Sequence, residues 1–172
     1  MDVLEAIRTR RSIRRFSHTA GPVSEQDLRC ILDAGFVAPS AHNLHPCHFI
    51  VVRDKAALNA IALSGKYTKM ASQADMCIVV AGDISLQKKY ELLIMDCSAA
   101  IENMLLAAHG LGLGAVWCGA FREASVDMPV LGELLSLPEH ALTLGLVMIG
   151  RPDEVREPVD RYDPRFVHHE KW

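Results

Sequence analysis

Five arginines fall within eight positions near the N-terminus, Arg8, Arg10, Arg11, Arg14 and Arg15, with Ser12 among them and no acidic residue between Glu5 and Glu25. Such a cluster suits an anion. Guanidinium groups offer paired donors to phosphate oxygens and a serine hydroxyl fills a remaining lone pair, so a phosphate is the ligand this chemistry favours. The competing reading is a solvated basic face or a nucleic-acid patch. The chain as a whole carries a formal net charge of −3 and a pI near 6.2, so its positive charge is focused on one segment. General nucleic-acid binding, which needs a basic stripe and usually a high pI, is disfavoured.

Other groups are weaker sources of chemistry. His42, His45, Cys47 and His48 are ligand types that zinc or copper prefers. Their spacing argues against a metal, because Cys47 and His48 begin a strand in which neighbours point to opposite faces while His42 and His45 flank a loop. Loop and pocket-lining histidines are the simpler reading. Gly110, Gly112 and Ala115 imitate a dinucleotide-binding fingerprint, but here a long helix precedes them and a strand follows, the reverse of what a pyrophosphate site requires. They read as a helix stop. The sequence holds no P-loop, no Ser-centred elbow and no HExxH. Its five cysteines, 30, 47, 77, 97 and 118, lack CxxC spacing and sit mostly in apolar runs, which predicts buried free thiols rather than a disulfide frame.

The elements that must position these residues follow from periodicity. Residues 2–9 place Val3, Leu4 and Ile7 on one helical face; Ser24 caps a second helix whose Leu28, Ile31 and Leu32 face a core and which Gly35 and Pro39 close. Strands are predicted at Cys47–Val52, Met76–Ala81, Ala115–Cys118 and Leu142–Ile149, and helices at Lys55–Leu63, Lys88–Leu111 and Val130–Leu135. The apolar stretch around 92–118 is broken by Asp96, Glu102 and His109, and Met1 to Arg11 is charged throughout, so neither reads as a membrane span or a secretory leader. A soluble, cytoplasmic protein is expected. The 172 residues, half of them hydrophobic, carry no linker or repeat, so one domain over 1–172 is expected, with 151–172 as a tail bearing Tyr162, Phe166 and Trp172 that extends over a partner subunit.

Four motifs in order carry a resemblance: Arg10-Arg11-Ser12-Ile13-Arg14, then Ala38-Pro39-Ser40-Ala41-His42-Asn43, then Gly112-Leu113-Gly114-Ala115-Val116-Trp117, and finally Ile149-Gly150-Arg151-Pro152. With these the chain resembles the nitroreductase family of FMN-dependent oxidoreductases from end to end. The resemblance implies an α+β, three-layer, dimeric fold with a mixed, mainly antiparallel sheet of four to five strands and helices on both faces. It casts Arg10 and Ser12 as FMN phosphate ligands, Arg11 as a ligand of the phosphate or ribityl chain, Arg14 as a contact to the pyrimidine edge, and Arg161 as a tail arginine returning to the phosphate. Pro39, Ser40, Ala41 and Asn43 become contacts made in trans to the flavin of the other subunit of a homodimer. Backbone N–H groups of Gly119 and Ala120 are expected to face flavin N5 and O4. Lys66 and Lys69 lie in a region of uncertain register and are left unassigned.

The activity implied is ping-pong hydride transfer from NADH or NADPH, through FMN, to a small electron-poor substrate such as a nitroaromatic or a quinone. No catalytic side chain is required, since the flavin does the redox chemistry while the protein supplies orientation and charge. Cys118, near the expected flavin edge, reads as packing. The alternatives are a relative that dehalogenates or destroys flavin, and a non-catalytic flavin- or nucleotide-binding module.

Overall fold

The computed structural model describes residues 1–120 and 128–172, with side chains left out at 128 and 129. Its centre is a sheet of four strands, β1 (Cys47–Val52), β2 (Met76–Asp83), β3 (Gly114–Gly119) and β4 (Ala141–Gly150), in the order β1-β2-β4-β3. Every neighbouring pair is antiparallel. Among the described residues the one parallel pairing is an isolated bridge between Ser12 and Ala115.

The period of two along the strands builds two cores. On β2, Met76, Ile78 and Val80 face one side with Val147 and Ile149 of β4, while Cys77 and Val79 face the other with Leu146 and Met148. The first face is covered by α2 (Glu25–Phe36) and α4 (Tyr90–Gly110), through Ile31, Leu93, Ile101 and Met104. The second is covered by α3 (Lys55–Leu63) and α5 (Met128–Leu135), through Leu58, Ile61 and Leu131. The result is helix–sheet–helix. Between Val80 and Ala81 the register to β4 slips from Gly145 to Thr143, leaving Leu144 as an extra residue. This bulge turns Leu144 onto the α4 side, where simple alternation would not place it.

Side-chain caps fix the helix starts. Asp2 accepts from the N–H of Glu5 at the head of α1 (Val3–Thr9), Ser24 from Asp27, and Asp54 from Ala57. At the end of α4, Gly112 takes a left-handed φ of +74°, with the N–H of Leu113 returning to Ala108 O. That is a Schellman stop, and the chain runs from it into β3, so the glycines end a helix rather than cradle a phosphate.

Two expectations change, at Gly35 and at Cys30. α2 continues through Gly35 to Phe36, because a Cβ at Gly35 would lie 3.0 Å from Phe49 Cζ and 3.2 Å from Met104 Cγ; this glycine is a close-packing residue inside the helix. α1 buries only Ala6, leaving Val3, Leu4 and Ile7 exposed in the single chain. Cys30 is exposed, since it falls on the outer face of α2. α4 is long and apolar enough to cross a membrane by length and composition, yet eight of its residues, Asp96 among them, are buried inside this fold.

Candidate functional site

After α1 the chain runs alongside the outer edge of β3. The Ile13 N–H donates to Ala115 O at 2.9 Å, and Phe16, 3% exposed, bridges to Pro152. Glu154 completes the anchorage: its Oε1 accepts from the N–H groups of Arg14 at 2.7 Å and Arg15 at 3.2 Å, while its Oε2 pairs with Arg156. The Glu154 side chain is 3% exposed, and the Arg14 N–H bond, opposed by burial, holds its carboxyl below the usual carboxylate range. Backbone and carboxylate thus fix the segment, so the arginine side chains need not.

Those side chains part company. Arg10 Nε pairs with Glu102 on α4 at 3.2 Å. Arg11 donates to the carbonyls of Arg10, Glu157 and Val159, clamping the tail back onto the segment. The clamp brings Arg161 into the wall of a cavity of about 620 Å³ that also takes in Arg8, Arg10 and Arg11. Four arginines line this cavity, Arg10 already paired with Glu102 and Arg11 with backbone carbonyls, and Asp160 is the one acid in that lining, a charge balance that suits an anion. Behind it the Thr9 hydroxyl lies 2.8 Å from His109 Nε2, and burial together with the Arg10 and Arg11 charges lowers the His109 pKa.

Arg14 faces elsewhere. It joins Lys66, Tyr67, Lys69, Trp117 and Gly119 around a second cavity of about 440 Å³. Both lysines that the sequence left unassigned therefore line the same space as Arg14. Cys118 lies in that wall too, but its thiol donates to Tyr67 O at 3.0 Å and burial raises its pKa, so it is a neutral packing group. Gly119 borders the cavity, whereas the Ala120 N–H is spent on Leu144 O at 3.1 Å.

The Pro39–Asn43 segment is not part of either cavity. Pro39 lines a third, of about 240 Å³, with Phe36, His45 and Asp96. Ser40 Oγ accepts from the His45 N–H at 2.9 Å, Asn43 Oδ1 meets His45 Nε2 at 2.8 Å, and the Ala41 N–H donates to Asp96 Oδ1 at 2.8 Å. His42, Asn43 and His45 all hold positive φ near +50°. Three left-handed non-glycine residues in four positions are costly, and the local hydrogen bonds offset part of that cost.

Sequence reasoning missed Glu154 and Trp117. The anchoring role of Glu154 gives no local signal, because the backbone N–H groups it holds lie 139 and 140 residues away. Trp117 was visible as a large aromatic within β3, and it is 37% exposed in a strand whose other members are nearly all buried.

Comparison with known proteins gives a consistent picture. The nitroreductase family model matches residues 7–65 and 62–151. A Methanothermobacter thermautotrophicus protein named "Putative NADH dehydrogenase/NAD(P)H nitroreductase" is 43% identical over 100% of this chain and 88% of its own length. The NADPH-flavin oxidoreductase of Vibrio harveyi is 30% identical over 98% of this chain and 73% of its own length. A solved Desulfovibrio desulfuricans structure, described as a nitroreductase-type complex with FMN, superposes with a TM-score of 0.85 at 33% identity, covering 100% of this chain and 98% of that one. With the model spanning most of the chain and the relatives matching it nearly end to end, this protein belongs to the nitroreductase family.

Proposed function

We propose that this protein is an FMN-dependent oxidoreductase that takes reducing equivalents from NADH or NADPH and passes them, in two successive half-reactions, to an electron-poor small molecule such as a nitroaromatic or a quinone. The observation that carries the reading is the division of the basic segment between two cavities. Arg10 and Arg161 share one cavity, Arg14 borders the other, and four residues of chain keep the Cα atoms of Arg10 and Arg14 within about 14 Å of each other. That is the kind of span over which a ribityl chain joins a phosphate to a flavin ring. The names of the flavin oxidoreductase and FMN-bound relatives support the same ligand.

FMN, when bound, supplies the hydride chemistry. Arg8, Arg10, Arg11 and Arg161 would hold its phosphate, with the Ser12 hydroxyl as a further donor. Arg14 would supply a permanent positive charge toward the ring, with no proton to move. Tyr67 and Trp117 border the space beside Arg14. No side chain there is placed as a nucleophile, and Cys118, kept protonated, has no such role.

The reading includes a cytoplasmic homodimer in which Pro39, Ser40, Ala41 and Asn43 complete the site of the partner. Two features support it: the loop is rigidly built yet turned away from its own arginine cavities, and apolar groups stand exposed on α1, at Met95 of α4 and at Tyr162, Phe166 and Trp172 of the tail. The decisive experiment is a titration of FMN-reconstituted protein with NADH and with NADPH, followed by visible absorbance. Bleaching by either nucleotide, and recovery on adding a quinone, is the expected result. A yellow protein that neither nucleotide bleaches would leave a flavin-binding module without this activity, and failure to bind FMN would overturn the reading altogether.

A further inference from the structure

Cys47 opens β1 and Cys97 sits at the middle of α4, fifty residues apart in sequence, yet their sulfurs are 3.3 Å apart. Cys97 is fully buried, whereas Cys47 is partly exposed and lines the 240 Å³ cavity with Phe36, Pro39 and Asp96. We propose that this pair is a redox modification site, in which a hydroperoxide oxidises the cavity-facing Cys47 and the buried Cys97 resolves it as an intramolecular disulfide.

The two thiols are differentiated for these parts. Hydrogen bonding with Cys97 is the main influence on Cys47 and lowers its pKa against the opposing effects of burial and the Asp96 charge. Cys97 is pushed up by the same contact and by burial. Cys47 is the sulfur that the cavity exposes, and a thiolate there is the reactive form. In the first step the Cys47 sulfur attacks one peroxide oxygen; the O–O bond breaks, water leaves with the added proton, and Cys47 becomes a sulfenic acid. In the second, the Cys97 sulfur attacks the Cys47 sulfur, the S–O bond breaks, and hydroxide departs as water with the Cys97 proton. Two thiols and one hydrogen peroxide thus give one disulfide and two waters. A dithiol reverses the change by exchange.

Location gives the site a purpose. Asp96, next to Cys97, accepts the Ala41 N–H, so a bond between β1 and α4 forms directly under the segment that runs from Pro39 to Asn43. The remaining cysteines are poor partners: Cys77 is fully buried with its pKa raised by burial, Cys118 donates to Tyr67 O, and Cys30 stands on the outer face of α2.

The test treats the reduced full-length protein with stoichiometric hydrogen peroxide, traps free thiols by alkylation and maps peptides without reduction. The expected product is a cross-link between the Cys47 and Cys97 peptides within one chain, with free thiols falling from five to three and returning to five on adding a dithiol. Cys30→Ser should leave this result unchanged. Cys97→Ser should arrest oxidation at a sulfenic acid on Cys47, detectable by a dimedone label. Five thiols retained in the wild-type protein, a cross-link that requires Cys30, or sulfinic acid on Cys47 without a cross-link would each overturn the proposal. The wild-type peptide map decides the matter even where a serine variant fails to fold.

Discussion

At the scale of single residues, the arginines divide the work by where the backbone aims them. Arg10 and Arg161 share the anion cavity, so replacing either by Ala is expected to weaken FMN binding by about 1.5–3 kcal/mol, the range of a charge-assisted hydrogen bond, while leaving riboflavin affinity nearly unchanged. Parallel titrations with the two flavins check this; equal losses for both would place the phosphate elsewhere. Arg14→Ala has a different signature. With the positive charge at the pyrimidine edge removed, the midpoint potential of bound flavin should fall and reduction by NAD(P)H should slow at saturating FMN, whereas an unchanged potential in spectroelectrochemistry would remove Arg14 from the ring. Glu154 adds a pH dependence. Its folded pKa lies below the unfolded value, so its contribution to stability is complete above the ordinary glutamate range, near 4.5, and is lost as pH falls through the lower folded value. Thermal melts from neutral to acid pH should therefore show a steeper acid limb for the native protein than for Glu154→Gln, which has no carboxylate to protonate there.

At the scale of elements, β3 and the arginine segment are one mechanical unit. A Cβ at Gly114 would fall 2.7 Å from Ile13 Cγ2 and 3.0 Å from Ile13 Cβ, and Ile13 stands next to both Ser12 and Arg14. Its closeness to Ile13 Cβ leaves little room for a rotamer change to relieve the clash. Gly114→Ala should cost about 1–3 kcal/mol of stability, as overpacking does, and should weaken FMN binding as well because the segment must shift. Chemical denaturation and a flavin titration on the same variant measure the two effects; destabilisation with unaltered FMN affinity would show that Ile13 yields without moving its neighbours. The contrast between Gly114 and Gly112 is instructive. Gly112 meets no atom within 4 Å and is needed for its positive φ, whereas Gly114 is needed for its missing Cβ.

At the scale of the whole molecule, the exposed apolar groups fit the proposed assembly. Leaving Val3, Leu4, Met95, Phe166 and Trp172 in water would forgo burial worth about 25 cal/mol for each Å² of apolar surface. An intimate homodimer of the expected kind buries more than about 2,000 Å² in total. Light scattering at micromolar concentration should give twice the 19.0 kDa chain mass. Met95→Glu, which places a charge on the exposed face of α4, should shift the population toward monomer and lower FMN occupancy together. A monomer that holds FMN fully would refute the shared site.

The sequence by itself determined most of the elements. The strand and helix positions follow from hydrophobic periodicity, and the caps at Ser24 and the stop at Gly112 follow from residues within one turn of each other, because these preferences act over a few positions of chain. It also determined the family, through four ordered motifs. What only the tertiary structure decided are meetings between distant residues. The Ala120 N–H meets Leu144 O at the bulge, the Arg11 clamp brings Arg161 to the anion cavity, Glu154 ties down Arg14 and Arg15, and α4 carries Cys97 to Cys47. Gly35 shows the boundary well: locally a glycine near a helix end reads as a stop, and it stays helical because Phe49 and Met104, 14 and 69 residues further on, press against the space where its side chain would be. Packing of that kind is fixed by the whole arrangement of the sheet and its two helical layers, and no window of neighbouring residues contains it.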